Sequence, residues 1–167
     1  MVRVRGQRQG RDGYTLVEVM TVALIMVLLA SIAAPSFRCA LEQTRADIAG
    51  ANLRAIWAAE RLYWLKYRKY TGSVDALRGT DGTSEKLLDL SLPFSESEIG
   101  PSNPSPYLYS ITPSSDGSSF TACAVRSSYR NSNWTGMFVI DQDGQFVRPD
   151  LNNVTDGGGA HIVPGFR

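Results

Sequence analysis

Gly13-Tyr14-Thr15-Leu16-Val17-Glu18 stands between a short basic leader and a long apolar run, and the reading of this stretch decides the rest of the chain. Four arginines (Arg3, Arg5, Arg8, Arg11) precede it, and no residue from Val19 to Phe37 carries a charge. About 20 apolar residues suffice to cross a bilayer as a helix, so the run predicts a membrane-spanning segment. It opens with a carboxylate, Glu18. An acid at that depth is costly without a partner, which marks Glu18 as a functional residue. In a secretory signal the small-residue cleavage site lies beyond the apolar segment. Here the small residue, Gly13, lies before it, so the apolar segment would survive a cut at that point.

This arrangement resembles the type IV prepilins and the pseudopilins of type II secretion. In that family a peptidase cuts after a glycine, methylates the new N-terminal amine and leaves glutamate as the fifth mature residue. Counted from Tyr14, the fifth residue is Glu18, and the proline the family often carries as residue twenty-two falls on Pro35. Tyr14 replaces the commoner phenylalanine and keeps the ring. The specific resemblance runs from Gly13 to Tyr70. It implies cleavage between Gly13 and Tyr14, N-methylation of Tyr14, an assembly role for Glu18 and a helix kink at Pro35. The division it implies is a cleaved basic leader (1–13), a transmembrane and filament-core half of the helix (14–38), and an exported globular domain that includes the second half of the helix (39–167).

The charge distribution agrees. The chain holds 17 Lys+Arg against 16 Asp+Glu, but residues 39–167 alone hold 12 against 14, a net of −2. Positive residues flanking a span stay cytoplasmic. The leader is therefore expected in the cytosol, the chain in the inner membrane as a single pass, and the remainder in the periplasm or in an extracellular filament. Export permits disulfides. The spacing of Cys39 and Cys123 fits neither a zinc motif nor a redox pair, and two readings stay open: a Cys39–Cys123 bridge, or two small unpaired thiols packed inside the domain.

Good helix formers resume after Pro35 and continue to Tyr70, with Gly72 as the stop; such a helix would be about 85 Å long. At helical spacing Ile48, Ala55, Ile56, Ala59, Leu62, Tyr63 and Tyr70 form one stripe. Leu53, Trp57 and Trp64 lie nearly opposite, alongside Arg54, Arg61 and Arg68. One stripe must pack on a sheet, because a helix buries nothing alone; the tryptophan side lies under a loop or meets a neighbouring copy. Further along, Ser84–Leu90 reads as a short helix. Tyr107–Thr112, Ser119–Arg126, Trp134–Ile140 and Gln145–Arg148 read as a four-stranded antiparallel meander. Residues 150–167 read as irregular, with Gly157-Gly158-Gly159 as a joint. The predicted fold is α+β and pilin-like, a long N-terminal transmembrane helix packed on a small antiparallel sheet.

Catalysis has little to stand on. His161, the sole histidine, lies in a glycine-rich tail, unsuited to a catalytic triad. No phosphate-cradling loop occurs, so no enzyme is expected. The Asp141-Gln142-Asp143-Gly144 turn superficially resembles the start of a calcium loop, and the major pseudopilin binds calcium near its C-terminus. Asp150, Asn152, Asn153 and Asp156 are the reserve of oxygen ligands, but the full calcium pattern is missing; no cofactor or metal is expected, calcium being the weak exception. Nucleic-acid binding would need a basic face, which the slightly acidic body does not supply. Asn133 and Asn153 head glycosylation-type triplets.

The expected function is that of a structural subunit of a type IV pilus-like filament, homo-oligomeric or mixed. The expected partners are a prepilin peptidase/N-methyltransferase, an inner-membrane assembly platform, and membrane lipid before assembly. The alternative keeps the fold and makes the chain a pseudopilin of a type II secretion system; a late Asp-Pro-Trp-Gly-like motif, as in the major pseudopilin, is missing, which favours the pilus. A third reading is an anchored binding module that never polymerises and keeps its leader.

Overall fold

The structure is a computed structural model and describes residues 13–82, 85–89, 91–100, 105–127, 133–147 and 152–165. The chain divides into two compact units, one ending at Arg38 and the other Cys39–Arg167. A single helix, α1 (Leu16–Tyr67), contributes to both. The leader arginines lie outside the described residues.

In the first unit α1 begins at a Thr15 cap. The Glu18 amide donates to Thr15 Oγ1 at 3.2 Å and the Val19 amide to the Thr15 carbonyl at 3.2 Å. Thr-x-x-Glu is the capping-box pattern, in which the hydroxyl satisfies an amide that the first helical turn leaves unpaired. From here the helix is long and apolar enough to cross a membrane.

In the second unit the helix packs on a five-stranded antiparallel sheet, β1 (Tyr107–Pro113), β2 (Phe120–Arg126), β3 (Thr135–Asp141), β4 (Asn153–Thr155) and β5 (His161–Ile162), in the order β1-β2-β3-β4-β5. Strand side chains alternate between faces. Phe120, Ala122, Ala124 and Arg126 of β2 point inward, flanked by Tyr107 and Tyr109 of β1 and Phe138 and Ile140 of β3. Against them lie Ala46, Ala49, Leu53, Ile56, Ala59 and Tyr63 of α1. Tyr70 packs tilted against Phe120 at 4.8 Å between centroids, and Tyr107 stacks on Phe138 at 5.6 Å.

Four expectations are corrected. Helix α1 ends at Tyr67, because Arg68 turns left-handed (φ 58°) and its amide returns to the Trp64 carbonyl at 2.8 Å. The described part of 84–90 is not helical: the Leu87 and Leu88 amides both donate to the Leu77 carbonyl at 2.8 Å, which seats Leu88 in the core. A short helix forms earlier instead, α2 (Val74–Arg78), where Ser73 Oγ accepts from the Ala76 amide. The fourth strand is not Gln145–Arg148. Phe146 makes only an isolated bridge to Ile140, and buried Asn152 takes over, its Oδ1 accepting from the Val139 amide at 2.6 Å and its Nδ2 donating to the Val147 carbonyl. The tail expected to be irregular supplies β4 and β5 across the glycine turn, tied by Asp156 Oδ1 accepting from the Gly158 amide at 2.7 Å and the Ala160 amide at 3.2 Å. Gly136 lets β4 approach: its φ is 141°, and a Cβ there would collide with the Asn153 carbonyl oxygen.

Candidate assembly surfaces

Gly13, Tyr14 and Glu18 are all exposed at the start of the chain's described part, and the backbone at Gly13 and Tyr14 is not helical. The cap at Thr15 sets the boundary between this non-helical segment and the helix. The cap uses the Glu18 amide and leaves its carboxylate on the surface one turn in. Leu16 to Ala34 is exposed throughout, Leu16 at 74% and Ile32 at 73%. A hydrocarbon surface of this size with no cover among the described residues demands another apolar environment. Pro35 lies inside α1.

The helix of the second unit has two faces of equal periodicity. The buried row is Glu42, Ala46, Ala49, Leu53, Ile56, Glu60 and Tyr63, alternating four and three residues apart. Leu41, Thr44, Ile48, Ala51, Ala55, Ala58, Leu62 and Leu65 repeat the spacing on the opposite side, exposed except for half-buried Ala55. Ile48 and Leu62, expected in the core, are 54% and 50% exposed. Two glutamates occupy the inner row in their stead, a pattern an apolar-stripe reading passes over.

Glu42 is held by charge. Arg126, from the end of β2, donates from Nε to Oε1 at 2.6 Å and from Nη2 to Oε2 at 3.3 Å, and Arg45 donates to Oε2 at 3.0 Å. Arg126 Nη1 is satisfied by the Ser127 carbonyl at 2.6 Å, and its guanidinium lies 5.8 Å from the Tyr107 ring centroid. Burial, with the Glu42 carboxylate adding to it, holds the Tyr107 phenol well above its ordinary range. Among the described residues no cation pairs with Glu60. Oε2 accepts from the Thr71 amide at 3.0 Å while Oε1 is buried without a hydrogen-bond partner. Burial pushes its carboxyl up to about 7 against the opposing pull of that amide. Charged groups are tolerated inside only when paired or neutralised, and the two glutamates represent the two solutions.

The tryptophan side is used within the subunit. Trp57 Nε1 donates to the Gln142 carbonyl at 2.9 Å, and its indole lies under the β3 turn, where a Cβ on Gly144 (φ 78°) would come within 3.0 Å of the ring. Trp64 stacks on Tyr70 at 6.4 Å. Arg61 and Arg68 sit over Trp57 and Trp64 at 5.9 and 5.0 Å, and Arg54 over Phe146 at 5.9 Å. Of the two readings of this side, a covering loop describes Trp57.

Cys39 and Cys123 are free thiols. Cys123 alternates with the inward residues of β2 and so points away from the helix that carries Cys39; Cys39 is exposed and Cys123 half-buried. Burial raises the Cys123 thiol above its usual range. The Asp141 turn spends its oxygens on itself: Oδ1 accepts from the Asp143 and Gln145 amides, each at 3.0 Å. Asn152 and Asp156 are likewise committed to the backbone. Asp150 lies outside the described residues, and among those described no three acids, thiols or imidazoles gather where a metal could sit. His161 is exposed on β5.

No family model and no solved structure matches this chain. It is 31% identical over 71 residues to the type II secretion system core protein G of Pseudomonas aeruginosa. The matched stretch covers 42% of this chain, and the chain spans about half the length of that relative. Taken with an acid-tipped apolar helix whose second half packs on an open antiparallel sheet, this similarity supports the chain's resemblance to the type IV pilins and type II secretion pseudopilins.

Proposed function

We propose that this chain is a pseudopilin, a filament subunit of a type II secretion machine. Of the two machines, the secretion system is favoured over a surface pilus because the relative is a secretion-system core protein; this reverses the order of preference drawn from the sequence alone. The observation that carries the filament reading is the bare apolar half of α1, headed by a capped turn that presents the Glu18 carboxylate.

The sequence of events is the one the family resemblance implies. The chain inserts with its leader in the cytosol, and a prepilin peptidase cuts between Gly13 and Tyr14. The new amine on Tyr14, methylated but still cationic, lies four residues from Glu18 on the same chain. Helix ends fray, so that intramolecular pair is poorly held. An amine from one copy and the Glu18 carboxylate of the next attract strongly in low dielectric, and the pair fixes how far one helix slides along another. Extraction by the assembly platform exchanges lipid for sister helices, with Pro35 bending α1 where the core gives way to the exported domain.

Mass spectrometry of the mature protein is expected to find methylated Tyr14 as the first residue. Glu18→Gln keeps insertion and cleavage but loses filament yield; undiminished yield refutes the pairing. Deleting the gene is expected to abolish exoprotein release. Loss of surface fibres with secretion intact returns the assignment to a pilus, and a permanently monomeric protein with its leader attached removes both.

A further inference from the structure

The outer row of α1 keeps a strict seven-residue period. Leu41, Ile48, Ala55 and Leu62 recur every seven residues, and Thr44, Ala51, Ala58 and Leu65 follow each of them three residues on. That is the a and d pattern of a coiled coil, sustained over more than three heptads. The sheet already occupies the opposite row, and this one is exposed except at half-buried Ala55. Its middle is alanine and its ends are leucine and isoleucine. Large side chains of a second helix would fit the alanine hollow, with the two axes near the close end of the usual range, about 8 Å.

The flanks decide which helix fits. On the g side stand Asp47, Arg54 and Arg61, with Arg68 just past the helix end; on the e side stand Arg45, Asn52, Ala59 and Lys66. Several of these are committed within the subunit. Arg45 meets Glu42 at 3.0 Å, Lys66 meets Glu85 at 3.2 Å, and Ala59 is buried in the core. Asp47 accepts from Gln43 Nε2 at 3.0 Å and from the Gly165 amide at 2.7 Å. Arg54 and Arg61 are exposed and lie over the Phe146 and Trp57 rings, each 5.9 Å from the centroid. A guanidinium stacked on a ring is a fork already held in place, so pairing with a carboxylate costs it little further ordering. The two arginines are seven residues apart, about 10.5 Å along the axis, which is the interval at which a heptad helix repeats its own flanking side chains.

We propose that this seam docks a helix of a different protein, one that shares the heptad period and carries Asp or Glu at the flanking positions that face Arg54 and Arg61. The proposal goes beyond the filament reading, which rests on the apolar half of α1 before Arg38. In coiled coils the e and g charges choose the partner. A second copy of this row does not supply them: its acids between Leu41 and Leu65 are Glu42 and Glu60, both buried, and Asp47, already spent on the tail. In parallel copies Arg61 would also face Lys66, a like-charge pair that opposes association. A nucleic-acid strand repeats its charge every ~3.4 Å, finer than the arginine interval, and offers no apolar ridge to the seam.

The test uses the full chain in micelles of an uncharged detergent and a fluorescein-labelled peptide of about four heptads, with Leu at a and d and Glu at e and g, which answers either helix direction. Fluorescence anisotropy is expected to show saturable binding, at least about tenfold tighter than for the same peptide with Lys at e and g. Arg54→Glu/Arg61→Glu is expected to invert that preference, which also shows that the variant is folded, and Leu62→Gln to abolish binding of the Glu peptide. Absent binding, equal binding of the two peptides, or binding that survives Leu62→Gln overturns the proposal. So does a single-stranded oligonucleotide that binds more tightly than the Glu peptide with the same arginine dependence. In the native envelope, Leu62→Cys in a Cys39→Ser/Cys123→Ser chain is expected to be joined by a short bis-maleimide to a different protein, at a helix whose heptads are flanked by acids. Joining solely to a second copy, or to no protein because the seam lies in lipid, overturns the choice of partner. Neither result bears on the methylation of Tyr14 or on the filament yield of Glu18→Gln.

Discussion

Two faces of one helix segment, Cys39–Tyr67, share a four-and-three spacing and have opposite fates. The inner row contains two glutamates and is sealed; the outer contains none and is largely bare. Apolar content alone would turn the helix the other way. The choice is made by what the rest of the fold offers. Arg126 meets Glu42, Asn52 Nδ2 reaches the Tyr109 hydroxyl at 2.8 Å, and the Thr71 amide meets Glu60. The inner face answers to fixed partners in its own chain. The outer face, rich in alanine between its leucines, keeps a surface that another molecule can approach closely.

The contrast breaks most sharply at Glu42. Glu42→Ala strands Arg126, buried and charged, and should cost about 3–5 kcal/mol, read as a fall in the denaturation midpoint of the exported unit by near-UV circular dichroism. An outer-row change, Ile48→Gln or Leu62→Gln, is expected to move stability by no more than about 0.5 kcal/mol while abolishing binding of the acid-flanked peptide. Equal destabilisation from both rows would erase the distinction.

Glu60 sharpens the comparison from within the inner row. Its folded carboxyl lies at about 7, above the ordinary value of 4.5. The folded state thus holds a proton that the unfolded chain gives up. The associated stability is fully present below pH 4.5 and is lost as the pH rises through 7, an effect of roughly 2–3 kcal/mol. Denaturation midpoints measured between pH 4 and pH 8 should therefore fall over that window, and Glu60→Gln should flatten the slope. A profile that rises with pH would mean that Glu60 is ionised and paired in the fold.

The sequence revealed the helix and its first turn because their signals are local. Glu18, the uncharged run and the alternation of β1 to β3 each lie within a single window. What it hid was non-local. Glu42 finds Arg126 across 84 residues, a pairing that no local window shows, and the apolar stripe through Ile48 and Leu62 was expected in the core instead. Strands β4 and β5 are three and two residues long, below the length at which alternation registers, and the glycines between them read as slack. Phe146 and Val147 mimicked a strand, and the Val147 amide does donate to the Val139 carbonyl at 2.9 Å; the Asn152 side chain, arriving from the next segment, then intercepts the Val139 amide and the Val147 carbonyl and ends the pairing.

Arg68 marks where the two faces end, and it carries the smallest expected effect. A left-handed backbone at a non-glycine residue costs about 1–2 kcal/mol, and glycine is the usual occupant of a helix C-terminal turn. Arg68→Gly should recover most of that cost and lose the contact over Trp64, worth about 0.5–1 kcal/mol at an exposed site. The net change expected is a stabilisation of roughly 0.5 kcal/mol, seen as a small rise in Tm. Arg68→Ala keeps the strain and loses the contact, so it should destabilise. If Ala and Gly behave alike, the left-handed turn is not what ends α1, and the helix would be free to extend toward Gly72, carrying the outward row another turn.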